Sequence, residues 1–132
     1  MIKLGQLLST EHRAVATMAL THNTVHIINK TTLDDGILYN FMTSSFTVTR
    51  DSYLPRIFIA ETDPTKINRQ TLCKVFCNCQ NFKFAYSVQL HNQDALQDYI
   101  PENLVLPTKH SKGCCKHVEA CILYILKYEV KS

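Results

Sequence analysis

The stretch Lys74-Val75-Phe76-Cys77-Asn78-Cys79-Gln80-Asn81-Phe82-Lys83-Phe84-Ala85-Tyr86-Ser87-Val88-Gln89-Leu90 decides how the rest of the chain is read. Residues 74–79 are strand-like, and the polar residues 78–81 suit a tight turn. Phe82, Phe84, Tyr86 and Val88 then alternate with their neighbours. Period-two alternation marks a half-buried strand, so the spacing predicts a strand pair, 74–79 and 82–90, joined by that turn. Two cysteines with one residue between them sit at its tip. In extended backbone, residues two apart share a face, so both thiols can aim at one point.

Downstream, residues 92–113 carry Pro101, Pro107 and Gly113 among scattered polar groups and read as a long irregular loop. Residues 116–127 read as a helix whose Val118, Cys121, Ile122, Ile125 and Leu126 form one apolar stripe. Upstream, residues 54–60 read as a strand, with Pro55 pointing to a sheet edge or a first position. Residues 62–65 form a loop, and Phe46 and Val48 alternate with Thr47 and Thr49 ahead of a turn at Asp51-Ser52. Residues 21–33 and 37–41 are rich in residues that suit a pleated surface. They are joined by Asp34-Asp35-Gly36, where Gly36 is free to take positive φ. At the start, Leu4, Leu7 and Leu8, then Ala14, Val15, Met18 and Ala19, recur at helical spacing. This predicts a short helix to Leu8 and another over 10–20, capped by Ser9 or Thr10 with Glu11 in its first turn. The expected fold is α+β: an N-terminal helix, an antiparallel meander, and a C-terminal ββα unit with a long loop. All 132 residues are expected in a single domain, with helix and meander over 1–70 and the ββα unit over 71–132.

Composition narrows the function. Hydrophobic residues make up 45% of the chain, enough for a core, while charged residues reach only 19%. So sparse a charged surface suits a chain that packs against others. The net charge of +3 is too small to mark a nucleic-acid binder by itself. No stretch approaches the roughly 18 apolar residues of a membrane span. The first residues lack the apolar run and small-residue cleavage site of a signal peptide, so the chain is expected to be neither transmembrane nor secreted. Six cysteines in such a chain argue for metal or free thiols over a disulfide framework.

Cys77 and Cys79 form one pair of soft ligands, and Cys115 and His117 form another. Structural zinc takes four thiolate or imidazole donors in a tetrahedron. Gly113 frees the backbone just ahead of the last helix, so Cys115 can sit in the turn leading into it and His117 in its first turn. One structural zinc ion would then pin the 74–90 strand pair to that helix across 35 intervening residues. Cys114 beside Cys115 leaves the third ligand open. Cys73 and Cys121 read as core. His12, His22, His26, His91 and His110 have no matching partners and read as surface or turn residues.

C-x-C followed by C-x-H on a β-β-α arrangement resembles the SWIM-type zinc-binding module, through Cys77, Cys79, Cys115 and His117. The run from Cys73 to Phe84, then Gly113-Cys114-Cys115-Lys116-His117 ahead of an apolar helix, is similar to SWIM-like proteins encoded by large tailed bacteriophages. The similarity covers residues 73–128. It implies a structural or interaction protein of a virion, with other virion proteins as partners. Cellular SWIM modules imply the alternative of a nucleic-acid-binding module. Its support here is the basic set Lys109, His110, Lys112 and Lys116.

Catalysis finds little to work with. Four protein ligands would close the metal shell, and no general base adjoins it as in H-E-x-x-H; Glu119 follows His117 by two and is expected to point elsewhere on the helix. A Cys115–His117 dyad lacks an orienting third group, and three scattered glycines cannot cradle phosphate. A non-enzymatic role is expected.

Overall fold

A computed structural model describes residues 1–8, 24–44, 52–80, 82–101 and 113–130. Within them, six strands form one antiparallel sheet: β1 (Ile2–Lys3), β2 (Val25–Thr32), β3 (Ile37–Ser44), β4 (Ser52–Tyr53), β5 (Arg56–Ile59) and β6 (Leu72–Phe76). The order is β1-β6-β5-β3-β2, and β4 pairs with the far end of β3. Two helices follow. A π-helical turn (Phe82–Tyr86) leads into α1 (Ser87–Asn92), and α2 (Lys116–Tyr124) runs on into a second π-helical turn (Ile125–Glu129). The architecture is α+β, as the patterning predicts.

Register explains the core. Ile2, Cys73, Ile59 and Ile37 line up across β1, β6, β5 and β3, and Val75, Ile57 and Tyr39 form the next row. All are buried, and alternation along each strand puts both rows on one face. Val118, Ala120, Cys121 and Ile122 of α2, and Ile125, join the same cluster. The Tyr124 ring meets Phe41 edge-on with centroids 5.9 Å apart. The sheet and core thus run straight across the boundary near residue 70. Lys30 on β2 and Glu129 at the helical end close the layer with a 2.9 Å ion pair.

Several sequence expectations change. The chain opens with β1 and a 3₁₀ turn (Leu4–Leu7), not a helix to Leu8; the helix expected over 10–20 and the strand over 45–49 lie outside the described residues. Pro55 does not mark an edge: β5 lies between β3 and β6, and Pro55 sits just before it, where its carbonyl accepts the Phe41 N–H at 2.9 Å. Gly36 is required for space and not for positive φ. A Cβ there would lie 2.1 Å from the Ile59 carbonyl oxygen and 2.7 Å from the Phe58 ring, because β5 passes directly over the turn. Of the loop expected over 92–113, part is anchored. Val75 donates to the Ala95 carbonyl at 2.8 Å and accepts from Gln97 N–H at 3.0 Å, forming a short parallel bridge.

The largest correction concerns residues 82–90, which are helical, so the expected ββα unit lacks its second strand. Phe82, Tyr86 and Leu90 satisfy both a period of two and a spacing of four. Phe84 separates the readings. On a strand it would share their face, whereas on a helix it lies about 200° from Phe82 at 3.6 residues per turn. Phe82, Tyr86 and Leu90 are buried while Phe84 is 71% exposed.

Candidate metal centre

Strand β6 ends at Phe76, and the chain bends through Cys77-Asn78-Cys79 into the helical segment. Two hydrogen bonds shape the bend. Phe82 N–H donates to Cys79 Sγ at 3.3 Å, and Lys83 N–H donates to the Cys79 carbonyl at 3.3 Å. The bend is also clamped sideways. Asn78, between the two cysteines, accepts the Leu54 N–H on Oδ1 at 3.0 Å, which ties it to the break between β4 and β5.

The second pair is placed by Gly113. Its φ of +94° belongs to the region L side chains avoid, and an added Cβ would lie 3.4 Å from the Leu7 carbonyl oxygen. This turn points Cys114 and Cys115 in different directions. Cys114 Sγ faces the Leu7 carbonyl at 3.5 Å. Cys115 occupies the N-cap of α2, and His117 falls in its first turn.

The donor atoms of Cys77, Cys79, Cys115 and His117 all lie within 4.8 Å of one another, and all four residues are buried. Cys77 Sγ is 4.0 Å from His117 Nδ1. A tetrahedron with M–S of about 2.3 Å and M–N of about 2.0 Å has edges of about 3.5–3.8 Å, so small adjustments would close this set around one ion. The group could hold a metal ion. Structure brings together all four residues singled out in the sequence and turns Cys114 aside. All six cysteines are free and buried.

The thiols are electrostatically unequal. Cys79 is held well below the usual thiol range, because the Cys115 and Cys77 thiols donate to it, helped by His117 and the Phe82 N–H against the opposing effect of burial. Cys77 is pushed up to about 12: donation from Cys115 lowers it, but its own donation to Cys79, burial and the Cys79 charge outweigh that. Cys115 is pushed well up, first by burial and then by donation to Cys77 and Cys79. One thiolate stabilised by two neighbouring protonated thiols is the arrangement expected where incoming cations displace protons. Cys73, pushed up to about 12 by burial, and Cys121, also raised by burial, behave as inert core thiols.

One contributor escaped the sequence reading. The Tyr53 ring packs on the His117 imidazole with centroids 4.3 Å apart and covers one side of the centre. Nothing in the sequence couples these residues, 64 positions apart, because β4 is brought to the site by its pairing with β3 and by the Leu54–Asn78 hydrogen bond beside it. Glu119, expected to point elsewhere on the helix, is not among the four grouped donors; it is fully buried, and its charge helps raise the Cys114 thiol, after burial. His26 and His91 lie apart from the centre, whereas His12, His22, Lys109, His110 and Lys112 fall outside the described residues. No helix among the described residues is long and apolar enough to cross a membrane. No protein family, curated protein or solved structure matches the chain.

Proposed function

We propose that the protein is a non-enzymatic structural and interaction protein, cross-braced by one zinc ion and belonging to a tailed-phage virion. The observation that carries the zinc reading is the closed, buried set of three thiols and one imidazole. Thiolate and imidazole donors in this ratio suit zinc, and four protein donors leave no position for substrate or water. Bound there, zinc would join the end of β6 to the start of α2. Zinc binding is worth about 10–16 kcal/mol in zinc-finger peptides, comparable to the whole stability of a small domain.

The virion reading is supported by the similarity to phage-encoded SWIM-like proteins and by the low charged fraction of 19%. The nucleic-acid alternative rests on a basic set of which only Lys116 is among the described residues. Elemental analysis of protein purified without chelator tests the first part, with about one zinc per chain expected. Cobalt substitution should give the charge-transfer and ligand-field bands of a tetrahedral thiolate site. Quantifying the chain in purified particles tests the second part. A fixed copy number is expected, and its absence from particles together with salt-sensitive binding to random-sequence DNA would move the assignment to the alternative.

A further inference from the structure

Arg56 and Phe76 are register partners on β5 and β6. Alternation places them on the sheet face opposite the Ile57–Val75 row. A cavity of about 330 Å³ opens there, its lining including Ile28, Asn40, Leu54, Arg56, Phe76 and Asn78. The guanidinium carbon of Arg56 lies 4.6 Å from the centroid of the Phe76 ring. A guanidinium over a ring face is held in place by the cation–π attraction, and its N–H groups stay available for a bidentate partner. Among the described residues the Arg56 guanidinium enters no ion pair and no hydrogen bond, whereas Lys30 and Lys74 are paired with Glu129 and Asp94. Among the described residues it is also the one charged residue of the lining. Asn40 donates to Asn29 and Asn78 accepts from Leu54 N–H, which leaves Asn40 Oδ1 and Asn78 Nδ2 uncommitted among the described residues. Ile28, pushed outward at the irregularity between Ile27 and Asn29, and Leu54 add an apolar rim, 54% and 48% exposed.

We propose that this cavity receives an acidic side chain from a partner protein, its carboxylate on Arg56 and Asn78 and its apolar sequence neighbours on Ile28 and Leu54. The proposal rests on the interaction role assigned above and gives that role a partner chemistry. Charge complementarity selects the occupant. One cation balances one carboxylate, whereas a nucleic-acid backbone would call for a row of them.

The test uses the full chain purified without chelator and an acetylated, amidated Leu-Glu-Leu peptide, followed by ¹H–¹⁵N NMR of the Arg56 Nε–H and the Asn40 and Asn78 amide groups. Saturable shifts at these groups are expected, with affinity about tenfold lower for Leu-Gln-Leu and for Arg56→Gln, in line with loss of a charge-assisted hydrogen bond. Ile28→Asp, at an exposed rim position, should abolish binding by repelling the carboxylate, and it serves even if Arg56→Gln fails to fold. Equal binding of the two peptides, no saturable shift, or shifts at Arg56 produced only by a single-stranded oligonucleotide would overturn the proposal. Zinc content of the same sample separates the two readings. A zinc-loaded chain without peptide shifts overturns this proposal alone, and a zinc-free chain that shows them overturns the metal reading alone.

Discussion

Replacing Cys114 and Cys115 by serine, one at a time, should give opposite outcomes from adjacent positions. Cys115 Sγ belongs to the four-donor group, and its loss leaves three donors. If about 10–16 kcal/mol of zinc affinity is spread over four ligands, each carries about 3–4 kcal/mol, or between two and three orders of magnitude in Kd. Cys114 Sγ instead faces the Leu7 carbonyl at 3.5 Å inside the core. A serine hydroxyl can still donate to that oxygen, so Cys114→Ser should cost about 1–2 kcal/mol of fold stability through the buried polar group and leave the metal content unchanged. The assay is competition with a chromophoric chelator, with cobalt spectra read in parallel. Since Cys115→Ser can also weaken folding, His117→Cys provides the control: it keeps four donors and should retain metal with a red-shifted cobalt spectrum. Loss of metal from Cys114→Ser with retention in Cys115→Ser would refute the geometry. Retention in both would refute the site.

Chelation should raise hydrogen exchange first in α1 and the opening turn of α2, while β3 and β5 stay protected; β6 should stay with them because it is paired on both sides, and equal loss in every element would contradict this. Gly36→Ala should destabilise by about 1–3 kcal/mol, since the new Cβ meets a backbone oxygen at 2.1 Å and β5 must move; a lowered urea midpoint at constant slope would show it. Burial raises Cys73 from 9.0 to about 12, so between those pH values the unfolded chain ionises there and the native one does not. The stability Cys73 contributes is full below pH 9 and should fall by about 1.4 kcal/mol per pH unit as pH rises. Alkaline unfolding curves of the native chain and Cys73→Ala should converge across that window, and a constant offset would count against it.

Features that depend on short-range spacing were legible in the residues alone. C-x-C and C-x-H each place two donors within reach of one point, because two residues along a bend or into a first helical turn span only a few ångströms. The apolar stripe of α2 and the β-rich composition of 21–33 and 37–41 were equally local, so the α+β class could be read directly. Residues 82–90 could not, since Phe82, Tyr86 and Leu90 fit both periodicities and only the exposure of Phe84 separates them. That exposure is a property of the surroundings: the bend at Cys79 hands its carbonyl and sulfur to the N–H groups of a helix. The resemblance favours Cys115 over Cys114, but the physical reason lies in Gly113 meeting Leu7, more than 100 residues away in sequence. Tyr53 over His117, Asn78 on Leu54 and Arg56 on Phe76 exist only because β4 and β5 are held beside the metal-bearing bend by sheet pairing. Contacts of this kind are fixed by register between distant strands, and no local pattern of residue types records a register.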